Sequence, residues 1–163
     1  MALTRAVVVV TVLAAASVAG WWSGQARRTA NPEARVVRAV DGDTIVVAFA
    51  DGHTDTVRIL GVDTPETHDP RKPVQCFGPE AAAYTARRLT GKVVRLESDV
   101  ETRDRYGRRL AYVYVGGHLY EEELLRLGYA RLLVIQPNAA HARPLLADEL
   151  AARRGRRGLW GTC

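Results

Sequence analysis

From Ala34 onward the chain alternates between apolar and polar positions. Arg35-Val-Val-Arg-Ala-Val40 and Thr44-Ile-Val-Val-Ala-Phe49 are rich in β-branched residues and flank Asp41-Gly-Asp43. Asp51-Gly52 separates the second run from a third, Thr54 to Val62. Asp-Gly pairs between alternating runs are hairpin signals, so a meander of three strands is predicted. Val93-Val-Arg-Leu96 and Leu110-Ala-Tyr-Val-Tyr-Val115 read as a fourth and a fifth strand, the last closed by Gly116-Gly117.

Between and after these runs the period changes to that of helices. Gly78-Pro79-Glu80 places proline and an acid in a first turn, and the pattern continues through Leu89 to Gly91. A second helix is predicted from Tyr120 to Leu127, with Glu121, Glu122 and Glu123 at its positive end and Gly128 as its stop. After the apolar stretch Arg131 to Ile135, a third helix begins near Asn138–His141. Pro144 must fall in its first turn, and the helix ends by Gly155. Residues 64–78 form a loop with Pro65, Pro70 and Pro73, together with Arg71 and Lys72. Five short strands with helices after the third and fifth predict an α+β fold, a closed five-stranded barrel of the OB type with three helices on it.

Composition adds size and partner class. At 163 residues, 47% hydrophobic and 25% charged, the chain can bury one core and is too apolar to be a disordered polymer. The formal charge of +5 suits either a polyanionic partner or simply a soluble basic surface. Only two of the basic residues are lysines, and arginine forks match phosphate in a bidentate way that lysine does not.

The first nineteen residues read as a signal peptide: Arg5, an uncharged run from Ala6 to Gly20, and Ser17-Val18-Ala19 before the expected cleavage point. The competing reading is an uncleaved membrane anchor over residues 1–22, tethered through residues 6–22 with Trp21 and Trp22 at the interface. Residues 20–33 are a linker and residues 34–163 the domain. Either reading takes the domain out of the cytoplasm, secreted or held on the outer face of the membrane. Cys76 and Cys163 fit no zinc pattern, and in an oxidising compartment a Cys76–Cys163 disulfide is the leading expectation, two free thiols the alternative.

The chemistry concentrates between Asp41 and Glu66. Asp43 opens the second strand and Asp63 closes the third, so antiparallel pairing puts both carboxylates at one end of the sheet. Adjacent carboxylates repel, and a hard cation relieves them. With no histidine or cysteine beside them, calcium suits the pair better than zinc. Thr64 is driven into an extended conformation by Pro65, one in which its carbonyl could be aimed at the same ion. Asp-Gly-Asp alone is an ordinary turn, and the later ligands of an EF-hand loop are absent.

Alternation sets a test. Arg58 and Asp63 are five positions apart, so a straight strand puts them on opposite faces. A bulge or bend at Gly61 is predicted to bring them together. Glu66 is then a general base for water, and Arg58 and Arg108 are phosphate donors. In isolation each arginine reads equally well as a surface ion pair or a polar loop tip.

Taken in order, Asp41-Gly-Asp-Thr44, Arg58 with Val62-Asp-Thr-Pro-Glu66, Gly78-Pro-Glu-Ala81, Asp104-Arg-Tyr-Gly-Arg108 and Leu110-Ala-Tyr112 resemble the staphylococcal nuclease family. The resemblance covers Val36 to Trp160. It implies a calcium-dependent endonuclease acting on DNA and RNA and leaving 3′-phosphates. Asp43, Asp63 and the Thr64 carbonyl would ligate calcium with Asp41 behind them, and Glu66 would be the base. Arg58 and Arg108 would stabilise the transition state, and Arg105 and Tyr106 would bind substrate. The family's type member has two tyrosines before the proline matching Pro137; Leu133 and Ile135 stand here, which predicts weakened base stacking. No obligate protein partner is implied and a monomer is expected. The alternative function is a catalytically inactive OB module that binds nucleic acid.

Overall fold

The computed structural model describes residues 31–67 and 73–163. The signal-peptide and anchor readings, most of the linker, and Pro70, Arg71 and Lys72 lie outside the described residues. The first element is β1 (Glu33–Ala39), beginning inside the stretch read as linker because Pro32 already accepts a hydrogen bond from Leu96. There follow β2 (Thr44–Ala48), β3 (Thr54–Ile59), β4 (Gly61–Asp63), α1 (Gly78–Leu89), β5 (Val93–Glu97), β6 (Arg109–Val115) and β7 (His118–Leu119). The chain then forms α2 (Tyr120–Leu127), β8 (Arg131–Leu133), α3 (Ala142–Arg154) and α4 (Leu159–Thr162).

Five strands close on themselves in the order β3-β2-β1-β5-β6, sealed by a parallel pairing of β3 with β6 in which Arg58 lies beside Leu110. Closure removes the sheet edges that an open meander would expose. The barrel is filled by inward β-branched and leucine side chains, among them Val36, Ile45, Val47, Val57, Ile59 and Leu96. Leu124, Leu125 and Leu145 cap that core from α2 and α3. The two Asp-Gly turns form as the pattern predicts. Asp43 donates its N–H to Asp41 Oδ1 at 3.0 Å, and Phe49 donates to His53 at 2.9 Å.

The three long helices match their predicted spans, with Pro79 and Pro144 in first turns where the absent N–H costs nothing. The strand read as Thr54 to Val62 is the main departure. It stops at Ile59, and β4 turns away to pair with β8 in a separate two-stranded sheet. The short elements β7, β8 and α4 were not expected.

One contact ties the helical layer to the Asp41–Asp43 turn. Thr85, buried on α1, donates its hydroxyl to the Gly42 carbonyl at 2.7 Å and lies 2.9 Å from the Tyr120 hydroxyl. The turn is thereby fixed from below by α1 and α2.

Candidate active site

The site starts from the break after Ile59. Gly61 has φ +76, a conformation that side-chain-bearing residues avoid, and a Cβ there would lie 2.5 Å from Leu145 Cδ1. The bend expected at this position is therefore present. It turns β4 so that Asp63 comes back toward the Arg58 guanidinium. Arg58 Nη1 donates to the carbonyls of Ile59 at 2.7 Å and Val62 at 2.9 Å, bracing the inside of the bend. Its Nη2 lies 3.2 Å from Asp43 Oδ2 and 3.5 Å from Asp63 Oδ1. One nitrogen thus marks the point on which both carboxylates converge.

Asp43 is held from two further sides. Its Oδ2 accepts the Thr64 N–H at 3.0 Å and its Oδ1 the Thr44 hydroxyl at 3.1 Å. Thr64 comes so close to the Asp41–Asp43 turn that a Cβ on Gly42 would meet its side chain at 2.6–2.8 Å, which accounts for glycine in Asp-Gly-Asp. The acids crowd one another. Burial, and then the Asp43 charge, push Asp41 up to about 6, and the same causes in the same order raise Asp63. Arg58 offsets this only in part.

That crowding tests the fit of a cation. Among the described residues no group of three or more histidine, cysteine, aspartate or glutamate side chains is placed to hold a metal ion. Two convergent carboxylates, one of them already bonded to the Thr64 N–H, are a smaller, all-oxygen set, and after burial it is the Asp43 charge that raises Asp41 and Asp63. The donor set fits a hard ion that takes its remaining ligands from water or substrate.

A cleft of about 290 Å³ opens over these groups, with Glu66 and Arg108 on its walls. Glu66 is near enough to Asp63 for its charge to contribute to raising that carboxyl. In this structure its Oε1 accepts the Thr67 N–H at 2.8 Å. Arg108 is positioned by Asp104. That carboxylate takes Arg108 Nε at 2.7 Å and the backbone N–H groups of Tyr106 and Arg108, both at 2.9 Å. These bonds outweigh partial burial and hold the Asp104 carboxyl below its ordinary range.

Tyr106 is 68% exposed, with the Arg108 guanidinium 5.5 Å from its ring. The Arg105 guanidinium lies 4.7 Å from the centre of the same ring and donates to its hydroxyl at 2.6 Å, so the two form one unit. Leu133 is half-buried in β8 opposite Gly61, whereas Ile135 is 55% exposed. Sequence reasoning missed Gln75, which lines the cleft beside Glu66. It is an uncharged amide in a proline-rich loop, and nothing in its spacing singles it out.

The predicted disulfide is formed: Cys76 and Cys163 are bonded, with Cα atoms 6.0 Å apart. Trp160 lies against two guanidiniums, Arg153 at 4.1 Å and Arg131 at 5.6 Å from its ring.

A sequence model described as "Staphylococcal nuclease homologue" matches residues 56–162. The chain is 42% identical over 126 residues to a thermonuclease of Staphylococcus hyicus, covering 77% of this chain and 74% of that protein. It is 40% identical to a thermonuclease of Staphylococcus intermedius, with the same coverage of both chains. It is also 42% identical to the endonuclease YncB of Bacillus subtilis, over 76% of this chain and 59% of that one. With the closed barrel and the arginine-bracketed acids, these similarities mean that the chain belongs to the staphylococcal nuclease family.

Proposed function

We propose that the protein is an exported, calcium-dependent endonuclease that hydrolyses DNA and RNA to 3′-phosphate ends. The observation that carries this reading is the convergence of Asp43 and Asp63 on one nitrogen of Arg58, in a cleft that Glu66 and Arg108 also line. A simple binding surface has no need of a base beside paired acids. Asp43, Asp63 and the Thr64 carbonyl would hold the calcium ion, which when bound neutralises the crowded acids and polarises the phosphate as a Lewis acid. Asp41, donated to by the Asp43 backbone, keeps that turn in shape.

Arg58 and Arg108 receive the non-bridging phosphate oxygens, whose charge grows as the fifth oxygen approaches. Preorganised donors there are worth several kcal/mol. Glu66 takes the proton of the attacking water; the new P–O bond forms as the bond to the 5′-oxygen breaks, and that oxygen leaves as an alcohol after gaining a proton. Arg105 and Tyr106 hold the substrate at the mouth of the cleft, with little aromatic stacking available from Leu133 and Ile135. Export, whether by cleavage or by tethering, rests on the leader-like start of the chain and on the disulfide.

The purified protein is expected to digest single- and double-stranded DNA and RNA with calcium and to stop when a chelator is added. Glu66→Ala should lower kcat roughly 10²–10⁴-fold while substrate affinity holds. Undiminished cleavage would remove Glu66 from its role. Tight binding with no cleavage under any ion would favour the inactive OB module.

A further inference from the structure

Glu66 stands beyond the end of β4, outside any regular element, yet a general base must be held to within a fraction of an ångström. Two hydrogen bonds from one residue hold its backbone. The Glu66 N–H donates to Gln75 Oε1 at 3.0 Å, and the Gln75 N–H donates to the Glu66 carbonyl at 2.9 Å. The start of α1 closes the other side. A Cβ on Gly78 would lie 2.7 Å from Thr67 Cγ2, 3.1 Å from the Pro65 carbonyl and 3.2 Å from that of Glu66.

The residues after Gln75 are fastened to the far end of the chain. Cys76 is bonded to Cys163, whose N–H donates to Leu159 at 3.0 Å. Leu159 is buried, and its own N–H donates to the Gly128 carbonyl at 2.9 Å behind α2. Phe77 packs on Tyr129 at 5.4 Å, and Tyr129 stacks on Tyr84 of α1 at 4.3 Å. Phe77 also carries φ +68, which a bulky residue keeps only where its surroundings over-determine it. Gln75 is therefore at the end of a short, doubly anchored lever.

We propose that Gln75 is the positioning residue for Glu66 and that the Cys76–Cys163 bond keeps Gln75 in place by fastening it to α4. The inference rests on the nuclease reading above. The bond thereby supports turnover as well as stability, through a residue that touches no reacting atom.

The test uses the full protein with four readouts. Gln75→Ala should lower kcat roughly tenfold or more with KM nearly unchanged. Gln75→Glu, which keeps an acceptor oxygen, should restore most of the loss. Amide exchange of Glu66, measured by NMR, should accelerate in Gln75→Ala but not in Gln75→Glu, a result that needs no activity. Reduction by a water-soluble phosphine, which with one water turns the disulfide into two thiols and leaves phosphine oxide, should lower kcat similarly at a temperature where the reduced protein remains folded. Re-forming the bond with oxidised glutathione, itself reduced to two thiols, after the phosphine is removed should restore it.

In a Glu66→Ala background, Gln75→Ala and reduction should each change the residual rate less than about twofold, since coupled sites are not additive. Equal losses in both backgrounds, or an unchanged kcat in Gln75→Ala, would overturn the positioning role. Loss in Gln75→Ala without loss on reduction would overturn the part given to the disulfide. Absence of cleavage by the oxidised wild type would instead sink the nuclease reading, and any catalytic positioning with it.

Discussion

Gly61 shows how much one residue can decide. The residue type is required twice, by φ +76 and by the fully buried Leu145 that occupies the space a Cβ would need. Gly61→Ala should cost roughly 1 kcal/mol for the backbone and about 1–3 kcal/mol for overpacking. It should also lower kcat, because straightening the bend draws Asp63 away from Arg58. Urea denaturation and steady-state kinetics read the two effects, and an unchanged unfolding midpoint would remove the steric argument. This bend was legible in the sequence because alternation makes a definite demand: two charges five apart do not share a face unless something breaks the strand. Asp43, Asp63, Arg58 and Arg108 were legible for a similar reason, since charges beside apolar runs need partners. Gln75 was not, because its importance comes from two backbone bonds to a residue nine positions away. Asp104 stood in one of the ordered motifs, but its part in organising the Arg108 turn rests largely on backbone N–H groups that all sequences possess.

At the scale of elements, α2 was predicted from its acids and its terminal glycine, and the structure keeps the span but reassigns one acid. Glu121 is fully buried rather than set at the helix end facing water. The chain enters α2 directly from β7, so the first turn presses against β6, where Glu121 Oε1 accepts the Val113 N–H at 2.9 Å. Its Oε2 is buried without a hydrogen-bond partner. Burial, reinforced by the charges of Glu97 and Glu122, raises the Glu121 carboxyl well above its ordinary value, against the pull of the Val113 bond. The sign follows from linkage. A carboxyl whose pKa is higher folded than unfolded gives stability that is fully present below the unfolded value, near 4.5, and is lost as pH rises toward the folded one. Glu121→Gln, which keeps an acceptor for Val113, should therefore gain in melting temperature over wild type as pH rises from 4.5, where ionisation begins to count, to 8. A constant difference between the two proteins across that range would show that Glu121 titrates normally. The elements that escaped prediction, β7, β8 and α4, are two to four residues long, too short for either period to register. They exist because tertiary partners capture them, as β4 captures β8.

At the scale of the molecule, barrel closure depends on the parallel β3–β6 pairing, which joins segments some fifty residues apart and leaves no local signal. The ordered motifs carried that information; periodicity alone did not. The second global constraint is the disulfide, which spans 87 positions. A crosslink closing so long a loop acts largely on the unfolded chain, and loop-closure entropy sets a ceiling of about 4–5 kcal/mol, with about 2–4 kcal/mol usual. Replacing both cysteines by serine should thus lower the unfolding free energy by about 2–4 kcal/mol. An unfolded-state effect has a second signature. Freed of the crosslink, the denatured chain expands and exposes more surface, so the urea m-value should rise as the midpoint falls. A lower midpoint with an unchanged m-value would place the loss in the folded state instead, in the contacts that fasten Cys76 and Phe77 against the end of α2. The two outcomes also separate stability from turnover. A double-serine variant that is less stable, has a larger m-value and shows reduced kcat well below its melting temperature has lost two distinct things, an entropic restraint on the unfolded chain and the anchor that keeps Gln75 against Glu66.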